Sequence, residues 1–423
     1  MIEKLIVENF GPINRIDIEI KKSLLLIGPS GKGKSTIAKL IAILRDFNFV
    51  YSGKEYFEFF KEYNIYGYLK PNTIINYVCP NYEVKFEKGN TTITYSEDYK
   101  NILENYKNSS YKAFLDNIIE FSEQIGKETS KILEEIKVYK DNEELPQKYE
   151  DLADKIKLNT EKLAKIIKIN ATPIYIPAER ILLATISGSM MSILTNKIPL
   201  PNYLLSFGSE FEKAKKDVTE YYIDFLDTTY KYENNIDSII LEENCRILLS
   251  ESASGIQTVL PMVLVLHYID KRHKDLTNDM MKLLNHYTFV IEEPELNLFP
   301  KTQKDLIYFL VSSCTKHNNN LVITTHSPYV LSSLNNLLFA TKTSKINEQE
   351  TEKIIPSKYW LYPELFSALF VDNGTSYSIL NENTLLIGEN YIDEASEEVK
   401  YEFDQLMEIY LMNKNKLDKQ DKK

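Results

Sequence analysis

The chain has 423 residues, a net charge of −11 and 26% charged residues. This length is enough for two or three domains around one large core. The acidic balance argues against a broad nucleic-acid-binding surface but is compatible with a local basic patch. DNA binding is therefore possible, but the net charge does not indicate it.

The cysteines show no spacing typical of a disulfide framework or a metal site, and there are three of them: Cys79, Cys245 and Cys314. We therefore expect a reduced, cytoplasmic protein. The N-terminus begins with a strand-like run and has no charged-then-apolar leader. The longest apolar run, at 259–266, is too short to span a bilayer, so no membrane association is expected.

The most informative stretch fills the pattern G-x-x-x-x-G-K-[ST] and continues with Thr36; its residues are Gly28, Pro29, Ser30, Gly31, Lys32, Gly33, Lys34 and Ser35. An apolar run at 24–27 predicts a strand before it. Apolar residues at i, i+3, i+4 and i+7 from Ile37 predict a helix after it. Glycines let backbone N–H groups surround phosphate oxygens, and a helix N-terminus adds a positive dipole end. The motif predicts an ATP site in which Lys34 reaches the β/γ-phosphates and Ser35 binds Mg²⁺.

Residues 51–170 read as an insertion between this helix and the next strand of the core. The alternating runs 82–87 and 91–95 around Lys88-Gly89-Asn90 predict a short antiparallel β-hairpin. From 98 to 169 the pattern predicts two helical runs of about 20 residues, each about 30 Å long, joined by a polar turn at 141–146. Two interpretations of this helical hairpin stay open, a docking surface for a partner and a subdomain that only completes the fold.

Residues 171–238 begin with a strand-like run, Pro173 to Arg180, that returns from the insertion and ends in polar groups. The rest of this part, from 181 to 238, is predicted to be a second helical segment. It is interrupted at 187–191 and 199–201.

Residues 239–345 carry three further candidate elements. The first is Ala253 to Gln257, which precedes a helix predicted from apolar residues at 259, 263, 266 and 269. A small hydroxyl and a glycine at a helix start make an anion site, so Ser254, Gly255 and Gln257 are candidate nucleotide-binding residues. Taken alone, the same letters also fit an ordinary flexible turn.

The other two elements are strands that end in polar side chains. Phe289 to Glu293 is a buried-strand run that ends in two carboxylates, and such groups face the nucleotide crevice at the carboxyl end of a central strand. Glu292 is the candidate Mg²⁺ ligand, through water, and Glu293 the candidate base for the attacking water. The run from 321 ends at His326, a candidate contact for the γ-phosphate. Solvated strand-end glutamates and a loop histidine are the alternatives.

The order of P-loop, signature helix, acidic strand and histidine resembles ABC-type ATPases. Glu292-Glu293-Pro294-Glu295 through Pro300 is similar to the E-E-P-E-x-x-L-x-P segment of the OLD/SMC-like branch, and 325–328 to its T-H-S-P segment. The resemblance implies an α/β fold with a P-loop ATPase lobe formed by 1–50 and 239–345. Residues 346–423 are a C-terminal segment, in which Tyr401 to Tyr410 is amphipathic.

Two positions depart from the family pattern. Glu292 stands where aspartate is usual, and its extra methylene shifts the metal or inserts a water. No glutamine stands out as the residue that couples nucleotide to the outer domain, so Pro173 to Arg180 is the candidate segment. A structural strand end with a surface ion pair is the alternative for it.

The resemblance also implies that the signature of one copy caps the ATP bound by the other, so we expect a homodimer or a higher oligomer. Ser254 and Gly255 would then act in trans. Lys34, Ser35, Glu292, Glu293 and His326 would act in cis.

For the biological role, OLD-type nucleases carry a Toprim module that needs an Asp-x-Asp pair, and this chain has none. We therefore expect an ATPase that controls a separate effector, a Toprim-type nuclease being one candidate. The stand-alone ATPase of PARIS-type antiphage systems is similar. An SMC-like DNA-repair ATPase and a non-hydrolysing nucleotide-gated scaffold are the alternatives.

Overall fold

The computed structural model describes residues 3–51, 55–97, 99–100, 172–186, 200–241, 245–276, 282, 286–388 and 400–409. The helical hairpin predicted at 98–169, apart from residues 99 and 100, and the interruption predicted at 187–191 lie outside the described residues.

The strands, in chain order, are β1 (Glu3–Phe10), β2 (Ile13–Ile20), β3 (Ser23–Ile27), β4 (Ile74–Val78), β5 (Tyr82–Glu87), β6 (Asn90–Tyr95), β7 (Thr172–Ile176), β8 (Glu220–Ile223), β9 (Thr228–Glu233), β10 (Ile236–Ile240), β11 (Arg246–Leu248), β12 (Tyr287–Glu292), β13 (Asn320–Thr325), β14 (Phe366–Asp372) and β15 (Thr375–Ser378). The helices are α1 (Lys34–Leu44), α2 (Phe47–Tyr51), α3 (Tyr56–Glu62), α4 (Ile181–Thr185), α5 (Asn202–Asp217), α6 (Ser254–Asp275), α7 (Pro300–Cys314), α8 (Pro328–Ser344), α9 (Glu348–Ile354) and α10 (400–409).

The central sheet has six strands in the order β15-β14-β3-β13-β12-β7, all parallel except β15. Strand β3 is buried along its whole length and is apolar after Ser23, as expected for a parallel sheet covered on both faces. Helix α1 packs on β7, β12 and β13. The predicted α/β class is therefore confirmed. The carboxyl ends of β3, β12, β13 and β7 meet at one edge of the sheet, which is the usual ligand edge of such folds.

The sequence periodicities are confirmed for the two helices that flank this edge. The apolar positions predicted to share one face of α1 are all buried, and so are those of α6: Ile37, Leu40, Ile41, Leu44, Val259, Val263, Leu266 and Ile269. Helix α6 begins at Ser254, as its predicted anion site requires.

A second sheet, antiparallel and in the order β2-β1-β4-β5-β6, contains the predicted hairpin. Its two-residue turn holds Lys88 and Gly89 at φ values of 52° and 77°, which suit a type I′ turn between twisted strands. The hairpin was expected to belong to an insertion at 51–170 that is separate from the ATPase lobe. In the structure it instead extends the sheet that contains β1 and β2. Apolar residues of both sheets, such as Phe10 and Val322, belong to one buried cluster.

The prediction of a helical segment, interrupted at two places, over 181–238 is wrong after Asp217. Strands β8 to β11 form a four-stranded antiparallel sheet. The run Thr228–Glu233 carries β-branched and aromatic residues that favour strands. Asn234 and Asn235 at φ values of 53° and 61° make the turn between β9 and β10, and asparagine tolerates this left-handed conformation better than most residues.

The C-terminal segment is also closer to the core than expected. Strand β14 pairs in parallel with β3, so residues 366–378 complete the sheet of the ATPase lobe and do not form a segment apart from it. The β14–β15 turn contacts the β1–β2 turn, because the Asn14 and Arg15 amides both donate to the Gly374 oxygen, at 2.8 and 3.0 Å. The amphipathic run near the end is helix α10, with every side chain exposed.

Within the described residues, no helix combines the length and the apolar character that crossing a membrane would require. All three cysteines are free, with Cys79 and Cys314 buried and Cys245 exposed.

Two glycines with similar backbone conformation differ in their surroundings: Gly374 lies in the β14–β15 turn, and Gly89 lies in the β5–β6 hairpin. Comparing them shows how tightly the β14–β15 turn packs. Gly374 and Gly89 have φ values of 74° and 77°, but a Cβ on Gly374 would lie 2.6 to 2.7 Å from atoms of Asn14, whereas nothing lies within 4 Å of one on Gly89. We expect Gly89→Ala to lower the free energy of unfolding by about 1 to 2 kcal/mol. Gly374→Ala should lower it by about 2 kcal/mol more, since overpacking is added to the backbone strain. Urea unfolding measures both, and equal losses would contradict the tight packing.

Candidate functional site

The P-loop lies between β3 and α1, with its three glycines at positive φ: Gly28 at 145°, Gly31 at 75° and Gly33 at 110°. A Cβ on Gly28 would clash with the Val371 carbonyl oxygen of β14. The loop can therefore follow this path only with glycine at that position. Ser30 and Gly31 are exposed at its tip.

The Lys34 side chain is buried, and its Nζ donates to the Gly28 and Pro29 carbonyl oxygens at 2.8 and 2.9 Å. Burial lowers the pKa of Lys34 from 10.5 to about 8, against the opposing effect of Glu293, Glu295 and Glu292. Because desolvation outweighs three nearby carboxylates, Lys34 is a cation short of compensating negative charge. A phosphate group supplies such charge.

The two carboxylates predicted at the end of β12 differ in their surroundings. Glu292 is buried, and its Oε1 has no hydrogen-bond partner among the described residues. The buried hydroxyl of Tyr175 makes no hydrogen bond of ordinary geometry there either, but it lies near Glu292, and burial together with this carboxylate raises the pKa of Tyr175. A buried carboxylate oxygen without a partner costs free energy, which a metal ion would offset. The chemistry of this oxygen thus fits a metal cation.

Glu293, the next residue, is partly exposed and has a φ of 42°. A glutamate rarely adopts this left-handed conformation, which is typical of functional sites. Its amide donates to the Thr324 carbonyl oxygen at 2.9 Å, so the neighbouring strand fixes the turn.

The predicted histidine lies beside this turn. His326 Nε2 is 3.3 Å from Glu293 Oε1 and 3.5 Å from Ser30 Oγ. The structure therefore brings together P-loop, acidic strand and histidine, three segments that are far apart in the sequence. A carboxylate and an imidazole in contact can hold and move a proton.

Glu295 is a site residue to which the sequence reasoning gave no role. It is buried, and its Oε1 accepts hydrogen bonds from Thr325 Oγ1 at 2.5 Å and from the His326 amide at 2.9 Å. Glu295 thereby holds the turn that carries His326. The sequence did contain a signal for a role of Glu295, because the E-E-P-E segment has a third glutamate two positions after Glu293.

Arg180 ends the segment Pro173 to Arg180, for which the sequence left open a coupling role and a structural strand end with a surface ion pair. Its side chain is fully buried, and its NH1 and NH2 donate to the carbonyl oxygens of Glu292 and Glu293 at 2.7 and 2.8 Å. Burial lowers the pKa of Arg180 to about 10, opposed by the nearby glutamates. The alternative of a surface ion pair at the end of β7 is therefore wrong.

The signature residues lie at the start of α6 and make no hydrogen bond to the P-loop within the described ranges. Ser254 is exposed. A Cβ on Gly255 would lie 2.9 Å from the Asn297 carbonyl oxygen. The Gln257 amide donates to the Ser250 and Ser252 carbonyl oxygens at 3.0 and 2.7 Å, so its amide nitrogen stabilises the loop before α6.

The C-terminal turn reaches the P-loop through Lys32, another contact that the sequence reasoning missed. Lys32 Nζ lies 3.1 Å from Asp372 Oδ1 and donates to Asn373 Oδ1 at 3.2 Å. No motif marks Asp372 or Asn373, so the sequence offered no signal for this contact.

Comparison with known families gives one match, the model described as AAA ATPase domain, over residues 1–331. No curated protein matches the chain.

Similar solved structures include the Smc head domain of Pyrococcus furiosus bound to the C-terminal domain of ScpA, at 14% identity and a TM-score of 0.36, covering 94% of this chain and 99% of that one. The SMC head domain of Thermotoga maritima has 12% identity and a TM-score of 0.35, with 90% and 99% covered. The recombination mediator RecF has 12% identity and a TM-score of 0.31, with 90% and 98% covered. These values are low, and the fold assignment rests on the strand order described above.

The lowered pKa of Lys34 predicts a dependence of stability on pH. Because the folded-state pKa is about 8 and the ordinary value is 10.5, the folded protein binds fewer protons than the unfolded chain between these values. The Lys34 contribution to the free energy of unfolding should therefore rise with pH across this window and stay constant below it. Urea unfolding of the wild type and of Lys34→Met at about pH 7.5 and about pH 9.5 measures it. A difference between the two proteins that does not change with pH would contradict the assignment.

Proposed function

Because the chain belongs to the AAA ATPase domain family, we propose that it binds ATP with Mg²⁺, hydrolyses the bond between the β- and γ-phosphates and dimerises around the nucleotide. The observation that carries this proposal is the meeting of Ser30, Glu293 and His326 beside the buried cation Lys34. A cation that lacks compensating charge and a carboxylate–histidine pair are the groups that phosphoryl transfer to water needs.

In this proposal the P-loop from Gly28 to Thr36 holds the phosphates through its backbone N–H groups and Lys34. The Ser35 hydroxyl and, through water, the Glu292 carboxylate would hold Mg²⁺, which would supply positive charge against the phosphate groups. Support for this role of Glu292 comes from its buried Oε1, which makes no hydrogen bond of ordinary geometry within the described part of the chain and has the Tyr175 hydroxyl nearby.

Glu293 takes the proton of the water whose oxygen attacks the γ-phosphorus, and the bond from that phosphorus to the β-phosphate oxygen breaks. His326 contacts the γ-phosphate and stabilises the Glu293 side chain, 3.3 Å away. Glu295 and Arg180 hold the backbone on which these two groups stand.

Ser254, Gly255 and Gln257 belong to the site of a second copy in this proposal. The exposed Ser254 at the start of α6 makes no hydrogen bond to its own P-loop among the described residues. A helix N-terminus there can receive the γ-phosphate bound by the partner. The protein is then a homodimer or a higher oligomer with shared sites.

We propose further that nucleotide state controls a separate effector, as in PARIS-type antiphage systems, with a Toprim-type nuclease as the candidate effector. The absence of an Asp-x-Asp pair from this chain supports an effector outside it. Large apolar side chains on and after α8 are exposed and available for contact with a partner: Phe339, Ile346, Ile354, Tyr362 and Leu365.

The second candidate function is an SMC-like DNA-repair ATPase, and the third is a non-hydrolysing nucleotide-gated scaffold. The Glu293–His326 contact favours hydrolysis over the scaffold. The net charge of −11 favours an effector protein over DNA as the partner.

Substitution of the base separates binding from hydrolysis. We expect Glu293→Gln to keep ATP affinity and to lose about 10²-fold or more of the turnover, since an amide cannot accept the proton of the water. With ATP it should accumulate as a dimer, seen by light scattering. Lys34→Ala is the matched control and should lose both affinity and turnover. Wild-type turnover in Glu293→Gln, measured by phosphate release, would place the base elsewhere.

Mixing two inactive variants tests the shared site. A Lys34→Ala chain and a Ser254→Arg chain should each be inactive and together regain part of the turnover, because one site of the mixed dimer has both an intact P-loop and an intact Ser254. Ser254 suits this test better than Gly255, whose substitution would press on Asn297 of its own chain. Activity should peak near equal proportions and disappear on dilution. Complete absence of rescue, with both variants folded, would mean that each chain acts alone.

A further inference from the structure

Arg180 is a buried cation whose hydrogen bonds, within the described part of the chain, all go to main-chain carbonyl oxygens. Nε donates to Thr258 O at 3.0 Å, NH1 to Pro177 O at 3.0 Å and to Glu292 O at 2.7 Å, and NH2 to Glu293 O at 2.8 Å. No carboxylate lies within ion-pair distance among the described residues. Since a buried guanidinium needs such partners, it fixes the relative positions of the three segments that supply them.

These segments come from different parts of the site. Pro177 follows β7, Glu292 ends β12 and Glu293 follows it, and Thr258 lies in the second turn of α6. Only a planar group with several N–H donors in fixed directions can reach all of them. A lysine would bring one point charge with three donors.

A second set of contacts carries the connection to the start of α6. The Thr258 hydroxyl donates to Ser254 O at 2.8 Å and accepts from Asn297 Nδ2 at 3.0 Å. Asn297, at a φ of 61°, belongs to the loop that follows Glu293, and its carbonyl oxygen faces Gly255. Arg180 and Thr258 thus connect the first turn of α6 to the backbone of Glu292 and Glu293 and to Asn297 in the loop that follows.

We infer that Arg180 is a positioning residue that couples the first turn of α6 to the Glu293 backbone, an inference that rests on the proposed function. Contact of Ser254 with nucleotide bound by a partner moves or holds this turn. Through Arg180, the position of this turn determines where the Glu293 carboxylate lies relative to the attacking water in the site of the same chain. The two sites of a dimer then act together.

The test compares Arg180→Gln and Arg180→Lys with a matched control, Arg45→Gln. Arg45 is also buried and is paired with Glu3 at 2.7 and 2.6 Å, but it lies at the end of α1 that is remote from the P-loop. All three variants should unfold at lower temperature than the wild type. Only the Arg180 variants should lose about 10²-fold in kcat, because a small misplacement of a reacting group costs that much. Their Kd for a fluorescent ATP analogue should stay within about threefold of wild type.

Amide hydrogen exchange without nucleotide supplies a readout that needs no hydrolysis. In the Arg180 variants, the hydrogen-bonded amides at 257–260 and those of Glu293, Leu296 and Leu298 should lose protection together, while those of the Arg45→Gln variant keep it. Arg180→Lys decides the outcome if Arg180→Gln does not fold. Together these results would support the coupling.

Three results would overturn the inference: kcat of an Arg180 variant within about threefold of wild type, an equal loss of kcat in Arg45→Gln, or loss of protection in only one of the two segments. Absence of hydrolysis in the wild type would instead overturn the proposed function. The exchange data would still decide the role of Arg180.

Discussion

Two buried cations, Lys34 and Arg180, stand beside three carboxylates, and the geometry of the site follows from how their charges are balanced. Lys34 is held by carbonyl oxygens of its own loop, and Arg180 by carbonyl oxygens from three other segments. Glu292, Glu293 and Glu295 act on both cations at longer range. Because neither cation is paired directly with a carboxylate among the described residues, the acidic side chains stay available for other partners, and the backbone offsets part of the cost of burying the charge.

The sequence predicted the elements whose signal is local. The glycine spacing marked the P-loop, and an apolar run ending in polar residues marked β12 and β13. Parallel strands that end at one edge of a sheet bring their following residues together, so the proximity of Ser30, Glu293 and His326 could be expected from motif order. The roles of these residues in binding and hydrolysis, like those of Ser254 and Gly255, stay predictions.

What the sequence could not predict depends on pairing between distant residues. Strand β14 lies against β3 with Phe366 opposite Ser23, although most of the chain separates these two strands. Nothing local in either strand marks the other. Likewise Arg180 looks like a surface residue by its neighbours, and only its hydrogen bonds to Glu292 and Glu293 reveal otherwise. The helical prediction for 220–238 is wrong because the tyrosine and threonine residues there favour strands. The helix that precedes them does not continue into this stretch.

The place of β14 beside β3 also bears on how the protein is made. During synthesis the P-loop strand β3 leaves the ribosome before its neighbours β13 and β14, which follow about 300 and about 340 residues later, so its two edges stay unpaired for that interval. At about 5 to 20 residues per second, the wait lasts some tens of seconds. Unpaired apolar strands attract other chains. A chaperone that covers β3 during this interval would therefore raise the yield of folded protein, and the sheet that carries the P-loop is complete around β3 only once β13 and β14 have docked.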